Sequence, residues 1–199
     1  NPIRTRRAAA LMMVLIAGVV AAAAVPGSND FHRASPAGGP TCVPVASWVI
    51  PGANAGQATT IDALLERAAQ AGVVLLGETH DSHEHHRWQL QFITALHSRH
   101  AELVIALEMF PRRVQPALDR WVAGEIDEAE FLRASEWHQV WRFDPALYLP
   151  IFHFARMNRI PLLAVNVERS LIEAVSEQGY AAIPASEREG VSEPAPATE

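Results

Sequence analysis

The nine residues from Glu78 to His86 read Glu-Thr-His-Asp-Ser-His-Glu-His-His, and they hold four of the chain's nine histidines together with three carboxylates. Imidazole nitrogens and carboxylate oxygens are the donors that suit Zn, Mn or Fe, and imidazole is also the side chain that moves protons near neutral pH. Further polar groups recur where later apolar runs stop: Glu108 after Leu103–Leu107, and Asn166 and Arg169 after Ile160–Val165. The candidate ligand-binding residues are therefore Glu78, His80, Asp81, His85, His86, Glu108, Asn166 and Arg169. Within that set, Glu78, His80 and Glu108, helped by His85 or His86, are the candidate metal ligands. A divalent ion there would lower the pKa of bound water and polarise an ester or amide carbonyl, with Glu78 or Glu108 left as general base. The bland alternative is a solvated turn in which acids and imidazoles satisfy one another.

The positions of these residues argue against the bland alternative. Val73–Leu76 is a short apolar run with two β-branched valines, bounded by Gly72 and Gly77, and reads as a buried strand. A helix from about Ser82 to Ser98 follows, with Trp88, Phe92 and Leu96 on one stripe and Asp81 or Ser82 able to cap it. His83 to His86 then fall in its first turn, where the positive end of the helix dipole disfavours imidazolium and keeps the rings able to bind metal. Leu103–Leu107 is a second strand, so strand, helix and strand form a right-handed crossover that brings Glu78, His80 and Glu108 to one edge, given neighbouring strands. Ligands of open α/β sheets sit at that carboxyl edge. Residues from about 112 to 157 carry helical stripes and no strand signal, with aromatic residues Trp137, Trp141, Phe143 and Tyr148, and read as a small helical insertion over the strand ends. Ile160–Val165 is a third strand, and Ser170–Ser176 starts a last helix. The expected fold is α/β: a thin parallel sheet flanked by helices, carrying that insertion.

Composition narrows the partners. The chain has no lysine, and beyond residue 40 it sets 12 Arg against 21 Asp and Glu, a surface that repels nucleic acid. The single cysteine, Cys42, makes no internal disulfide. Arg4, Arg6 and Arg7 precede an apolar run from Ala8 to Val25, followed by Pro26-Gly27-Ser28. That pattern predicts an export signal cut near Ala24, or else an uncleaved anchor, over residues 1–25, and so a periplasmic or cell-envelope protein. Residues 26–44 read as a linker, 45–190 as the α/β domain and 191–199 as a polar tail, after which the sheet is expected to continue. Gly39-Pro40-Thr41-Cys42 has the small residues of a lipid-attachment site but lacks the Leu.

Leu76-Gly77-Glu78-Thr79-His80-Asp81, then His85-His86 and Gln89, then Glu108-Met109-Phe110, then Asn166-Val167-Glu168-Arg169, together resemble the ChaN-like haem-binding lipoproteins of bacteria. These stand with the Tiki and erythromycin-esterase-like proteins. The resemblance spans roughly residues 45–190. It implies a parallel sheet with a small helical subdomain, haem bound during iron acquisition, a tyrosine as haem ligand and a homodimer holding the haem, served by outer-membrane uptake machinery. Tyr148 and Tyr180 are the only tyrosines, and no motif says which corresponds. Tiki-type peptidases use Gly-x-x-His and a Glu for metal, and Gly77-Glu78-Thr79-His80 with Glu108 matches that spacing. The resemblance thus implies haem, with a metal-dependent peptidase or esterase as the alternative. The family domain also continues with further strands, including a second Gly-x-x-His-like element, which residues up to Glu199 do not supply.

Overall fold

The computed structural model describes residues 11–17, 47–50, 57–193 and 195. The predicted linker over 26–44, with Cys42, lies outside the described residues. In chain order the strands and helices are β1 (Leu11–Ala17), β2 (Trp48–Ile50), β3 (Gln57–Thr59), α1 (Ile61–Ala69), β4 (Val73–Glu78), α2 (His83–Arg99) and β5 (Leu103–Pro111). Then come α3 (Gln115–Ala123), α4 (Glu128–Ala134), α5 (Trp137–Val140), α6 (Pro145–Asn158), β6 (Leu162–Asn166) and α7 (Arg169–Gln178).

Four strands pair in parallel in the order β4-β1-β5-β6, and β2 pairs antiparallel with β3 beside them. The expectation that residues 1–25 stand outside the domain is corrected for Leu11–Ala17, which hydrogen-bonds to β4 on one side and β5 on the other. An unbroken apolar run serves an export signal and a central parallel strand equally well, and periodicity does not separate them. The expected neighbourhood of β4 and β5 is corrected with it. Among the described residues β4 is an edge strand, and one of its faces is open: Leu76 and Glu78 are buried while Val73 and Leu75 on the other face are exposed, where both faces were expected to be covered.

Local signals hold the helices where the site needs them. Thr60 caps α1 through Ala63 N–H, and Ser82 caps α2 through His85 N–H. Gly124 ends α3 at φ 80°, the left-handed conformation that glycine takes without strain. Pro145 opens α6, where its missing N–H costs nothing, and Pro150 lies inside the helix. The segment that crowds Trp137, Trp141 and Phe143 contains the single turn of α5. The core joins Phe92, Ile93 and Leu96 of α2 to Leu107 and Phe110 of β5 and to Trp121, Phe131, Trp137, Tyr148 and Phe152 of the insertion. Trp121 and Trp137 are buried because each indole N–H finds a carbonyl, of Phe152 and Phe143 respectively. Most of the insertion's aromatics are thus core.

Candidate functional site

The acid–imidazole centre forms above the end of β1. Strands two places apart lie about 10 Å from each other, yet ligand atoms of Glu78, His80 and Glu108 all fall within 4.8 Å of one another. His80 manages this from the turn after β4. Glu108 manages it because the register between β5 and β6 shifts between Leu107 and Pro111, an irregularity of the kind that re-aims a side chain near a site. Glu78 is the buried member: Oε1 meets His80 Nδ1 at 2.5 Å, while Oε2 is buried without a hydrogen bond, 3.6 Å from His86 Nε2.

Tyr148, from α6, closes the centre from above. Its hydroxyl lies 3.3 Å from Glu78 Oε1 and 3.2 Å from the carbonyl of His80, and its ring packs against His86 with 4.1 Å between centroids. Burial first, and the nearby Glu78 carboxylate second, hold the Tyr148 phenol protonated far above its usual range. Trp141 and Phe143 cover the His80 ring at centroid distances of 4.4 and 4.7 Å. These three aromatic residues belong to the site as well as to the insertion. Their signal in the sequence was only their crowding, because no spacing rule joins residues 70 apart.

The histidines after the turn divide. His86 is buried, and both its ring nitrogens face oxygens, Nε2 the carbonyl of His80 at 3.1 Å and Nδ1 the Gln89 amide oxygen at 3.3 Å. Gln89 is locked in that orientation by donating its Nε2 to the Leu76 carbonyl at 3.0 Å. His86 therefore ties the turn to α2, and both its ring nitrogens face oxygens within the protein, where a role beside the metal ligands was expected. His85 departs further: Nδ1 accepts from Thr79 N–H at 2.8 Å, and the ring lines a separate cleft with Trp48 and Trp88. The first turn of α2 points its rings in several directions because successive helical residues are about 100° apart. Asp81 is exposed in the turn.

Asn166 and Arg169 sit on the far side of Glu108. Asn166 Nδ2 donates to the Glu108 carbonyl at 2.7 Å, and its Oδ1 accepts from Val167 N–H. Both line a cleft of about 490 Å³ with Met109, Arg113, Val140 and Ile172. Arg113 makes a two-pronged contact with Glu136 at 2.7 and 2.9 Å and meets Glu168 at 2.6 Å. Hydrogen bonding from Arg113 holds the Glu136 carboxyl below its usual range, and the same contact raises Arg113. Arg169 pairs with Glu173 at 2.9 Å on the open surface. The rim therefore carries two neighbouring features, an acid–imidazole centre and an arginine-bearing cleft, where the sequence predicted one.

Among curated proteins none matches. A solved structure described as cofacial heme binding to ChaN of Campylobacter jejuni is similar, at 25% identity and a TM-score of 0.54, over 64% of this chain. The chain spans 51% of the length of that relative. The family described as haem-binding uptake, Tiki superfamily, ChaN, matches residues 64–199, which include both features of the rim. That match covers more than half of the chain, which belongs to the ChaN family of the Tiki superfamily.

Proposed function

We propose that this chain is a haem-binding protein that serves haem or iron uptake at the cell envelope, with Leu11–Ala17 kept in the sheet. Family membership over residues 64–199 is the observation that carries the reading. The arginine-bearing cleft supports it. It shares Val167 and Ile172 with an apolar hollow of about 260 Å³ lined by Leu171, Val175 and Tyr180. A porphyrin needs an apolar bed for its ring and cations for its propionates. Arg169 and Glu173 are both largely exposed, so a propionate can exchange for the Glu173 carboxylate at little cost.

The choice between the tyrosines follows from burial. Tyr148 is enclosed and committed to Glu78 and His80. Tyr180 is half-buried in the hollow, where its hydroxyl donates to the Val191 carbonyl and the Arg188 guanidinium lies 4.4 Å from its ring centroid. Tyrosine oxygen is an established axial ligand of haem iron, and Tyr180 is the residue assigned to it here. Cofacial binding in the Campylobacter jejuni relative motivates a homodimer, with a second copy of the chain bringing a second haem. Outer-membrane uptake machinery is the partner proposed beyond it.

Titration of the purified chain with hemin tests the reading. A saturable Soret shift, weakened in Tyr180→Phe and kept in Tyr148→Phe, is the expected result. Absence of a shift at micromolar protein overturns it.

A second reading, a metal-dependent hydrolase, is favoured by one observation: the buried, unbonded Glu78 Oε2 beside His80 and Glu108. An unsatisfied buried carboxylate oxygen is costly, and a divalent ion such as Zn, Mn or Fe would satisfy it with fitting nitrogen and oxygen donors. When bound, such an ion supplies Lewis acidity and an acidified water. Glu78, His80 and Glu108 would hold it, Tyr148 would keep the Glu78 carboxylate in place, and Trp141 with Phe143 would shield His80 from bulk water. Metal analysis of chelator-free protein tests this. No stoichiometric metal, with stability unchanged by chelator, removes it, whereas metal lost in Glu78→Gln with the fold intact supports it.

A further inference from the structure

His85 is a motif histidine that neither reading uses. Because Nδ1 accepts from the Thr79 backbone N–H, the neutral ring carries its proton on Nε2 and has no lone pair left for a metal or iron. What it can offer a ligand is one N–H. It does so in a cleft of about 580 Å³ that it lines with Trp48, Ile61, Trp88 and Gln91. That volume lies inside the range of about 300–1,000 Å³ typical of small-molecule sites.

Two structural units build the cleft. The β2–β3 ribbon, in which Trp48 stands opposite Thr59, brings one indole over α2. The helix presents His85, Trp88 and Gln91 at steps of three residues, one side of its surface. Trp48 and Trp88 meet edge to face, 5.4 Å apart at 83°, so their planes form a corner rather than a stack. Among the described lining residues none is an acid, a lysine or an arginine.

We propose that this cleft binds a neutral saccharide, with one pyranose ring seated in the tryptophan corner. The C–H face of a sugar ring is apolar and carries small positive partial charges, which suit the negative face of an indole. Its hydroxyls both donate and accept, as the Gln91 amide does, and they accept from His85 Nε2–H. Among the described lining residues an anion finds no arginine or lysine to pair with. A wholly apolar guest would strip water from His85 and Gln91 without replacing their hydrogen bonds. The site is independent of the haem and metal readings.

Chitotriose is the probe, with the full chain, followed by tryptophan emission and by saturation-transfer NMR on the sugar. The expected result is saturable binding in the millimolar range or tighter, abolished in Trp48→Ala. Exposed Gln91→Ala, which leaves the fold intact, should weaken binding about fivefold to tenfold, the worth of one or two neutral hydrogen bonds. Retained binding in His80→Ala would support the separate location. No saturable signal in either readout overturns the proposal. So does binding that survives Trp48→Ala, or a cleft that takes free indole while refusing the sugar.

Discussion

Replacing Tyr148 by Phe removes one oxygen from the buried side of the acid–imidazole centre and changes little else in shape. The hydroxyl has a single proton to share between Glu78 Oε1 at 3.3 Å and the His80 carbonyl at 3.2 Å. Neither acceptor is stranded by its loss: Glu78 Oε1 keeps His80 Nδ1 at 2.5 Å, and the carbonyl keeps His86 Nε2 at 3.1 Å. The cost at neutral pH is therefore that of one net hydrogen bond, about 1–1.5 kcal/mol, and not the larger penalty of an orphaned buried group. For a domain of this size that is a fall of about 2–6 °C in Tm.

The pH dependence separates this account from generic destabilisation. The unfolded Tyr148 loses its proton near the ordinary value of 10.0, whereas the folded one is held protonated well above it by burial and by Glu78. Its contribution is complete below pH about 10 and is lost as pH rises, at about 1.4 kcal/mol per pH unit. Tyr148→Phe lacks this alkaline loss, so its stability should approach and then pass that of the parent above pH about 10. Urea unfolding of both proteins at pH 7 and in steps between about 9 and 11 measures it. Tyr180 is present in both proteins and cancels. An equal alkaline slope in parent and variant refutes the placement of Tyr148, and so does a cost above about 3 kcal/mol at pH 7, which would mark a stranded partner.

Three further outcomes follow from other contacts. Gln89→Leu strands the Leu76 carbonyl and the His86 Nδ1 together, and should cost about 2–4 kcal/mol in urea unfolding, with a cost under 1 kcal/mol contradicting the network. In Arg113→Ala the Glu136 carboxyl, now held low by that guanidinium, should titrate upward toward its ordinary range in a carbon-13 NMR titration; no movement would remove the pair. Because a lowered carboxylate stabilises the fold above its unfolded pKa and loses that contribution as pH falls, the variant should show a weaker acid limb, by under about 1 kcal/mol since both side chains are nearly half exposed. A chain lacking residues 1–24 leaves β4 and β5 each with an unpaired inner edge. Hydrogen exchange along 73–78 and 103–107 should then quicken, and unchanged protection would show that Leu11–Ala17 is not needed between them.

The α/β class, the strands β4, β5 and β6, α2 and the helical insertion were legible in residue patterns because each depends on neighbours in sequence. Glu78, His80 and Glu108 were expected at one edge on the premise of neighbouring strands; they meet although β1 lies between β4 and β5. What was not legible depends on tertiary placement. The role of Leu11–Ala17 as an inner strand is set by its partners β4 and β5. The turning away of His85 is set by one backbone N–H, of Thr79. The entry of Tyr148 into the centre rests on the packing of α6, and the division of the rim into centre and cleft rests on the register shift after Leu107.

That shift also bears on why a haem-family chain carries an acid–imidazole centre. The carboxylate of Glu108 belongs to the centre, while its carbonyl is held by Asn166, whose residue lines the cleft. The two features are therefore opposite faces of one strand end, with different donors and different access. The centre gathers ligand atoms within 4.8 Å of one another, with Tyr148 bonded to Glu78 and Trp141 and Phe143 packed on His80. The cleft is open, arginine-bearing and continuous with an apolar hollow, of a size for a macrocycle. The two proposed ligands thus draw on different residues of this chain, and Glu78→Gln and Tyr180→Phe test the two proposals separately.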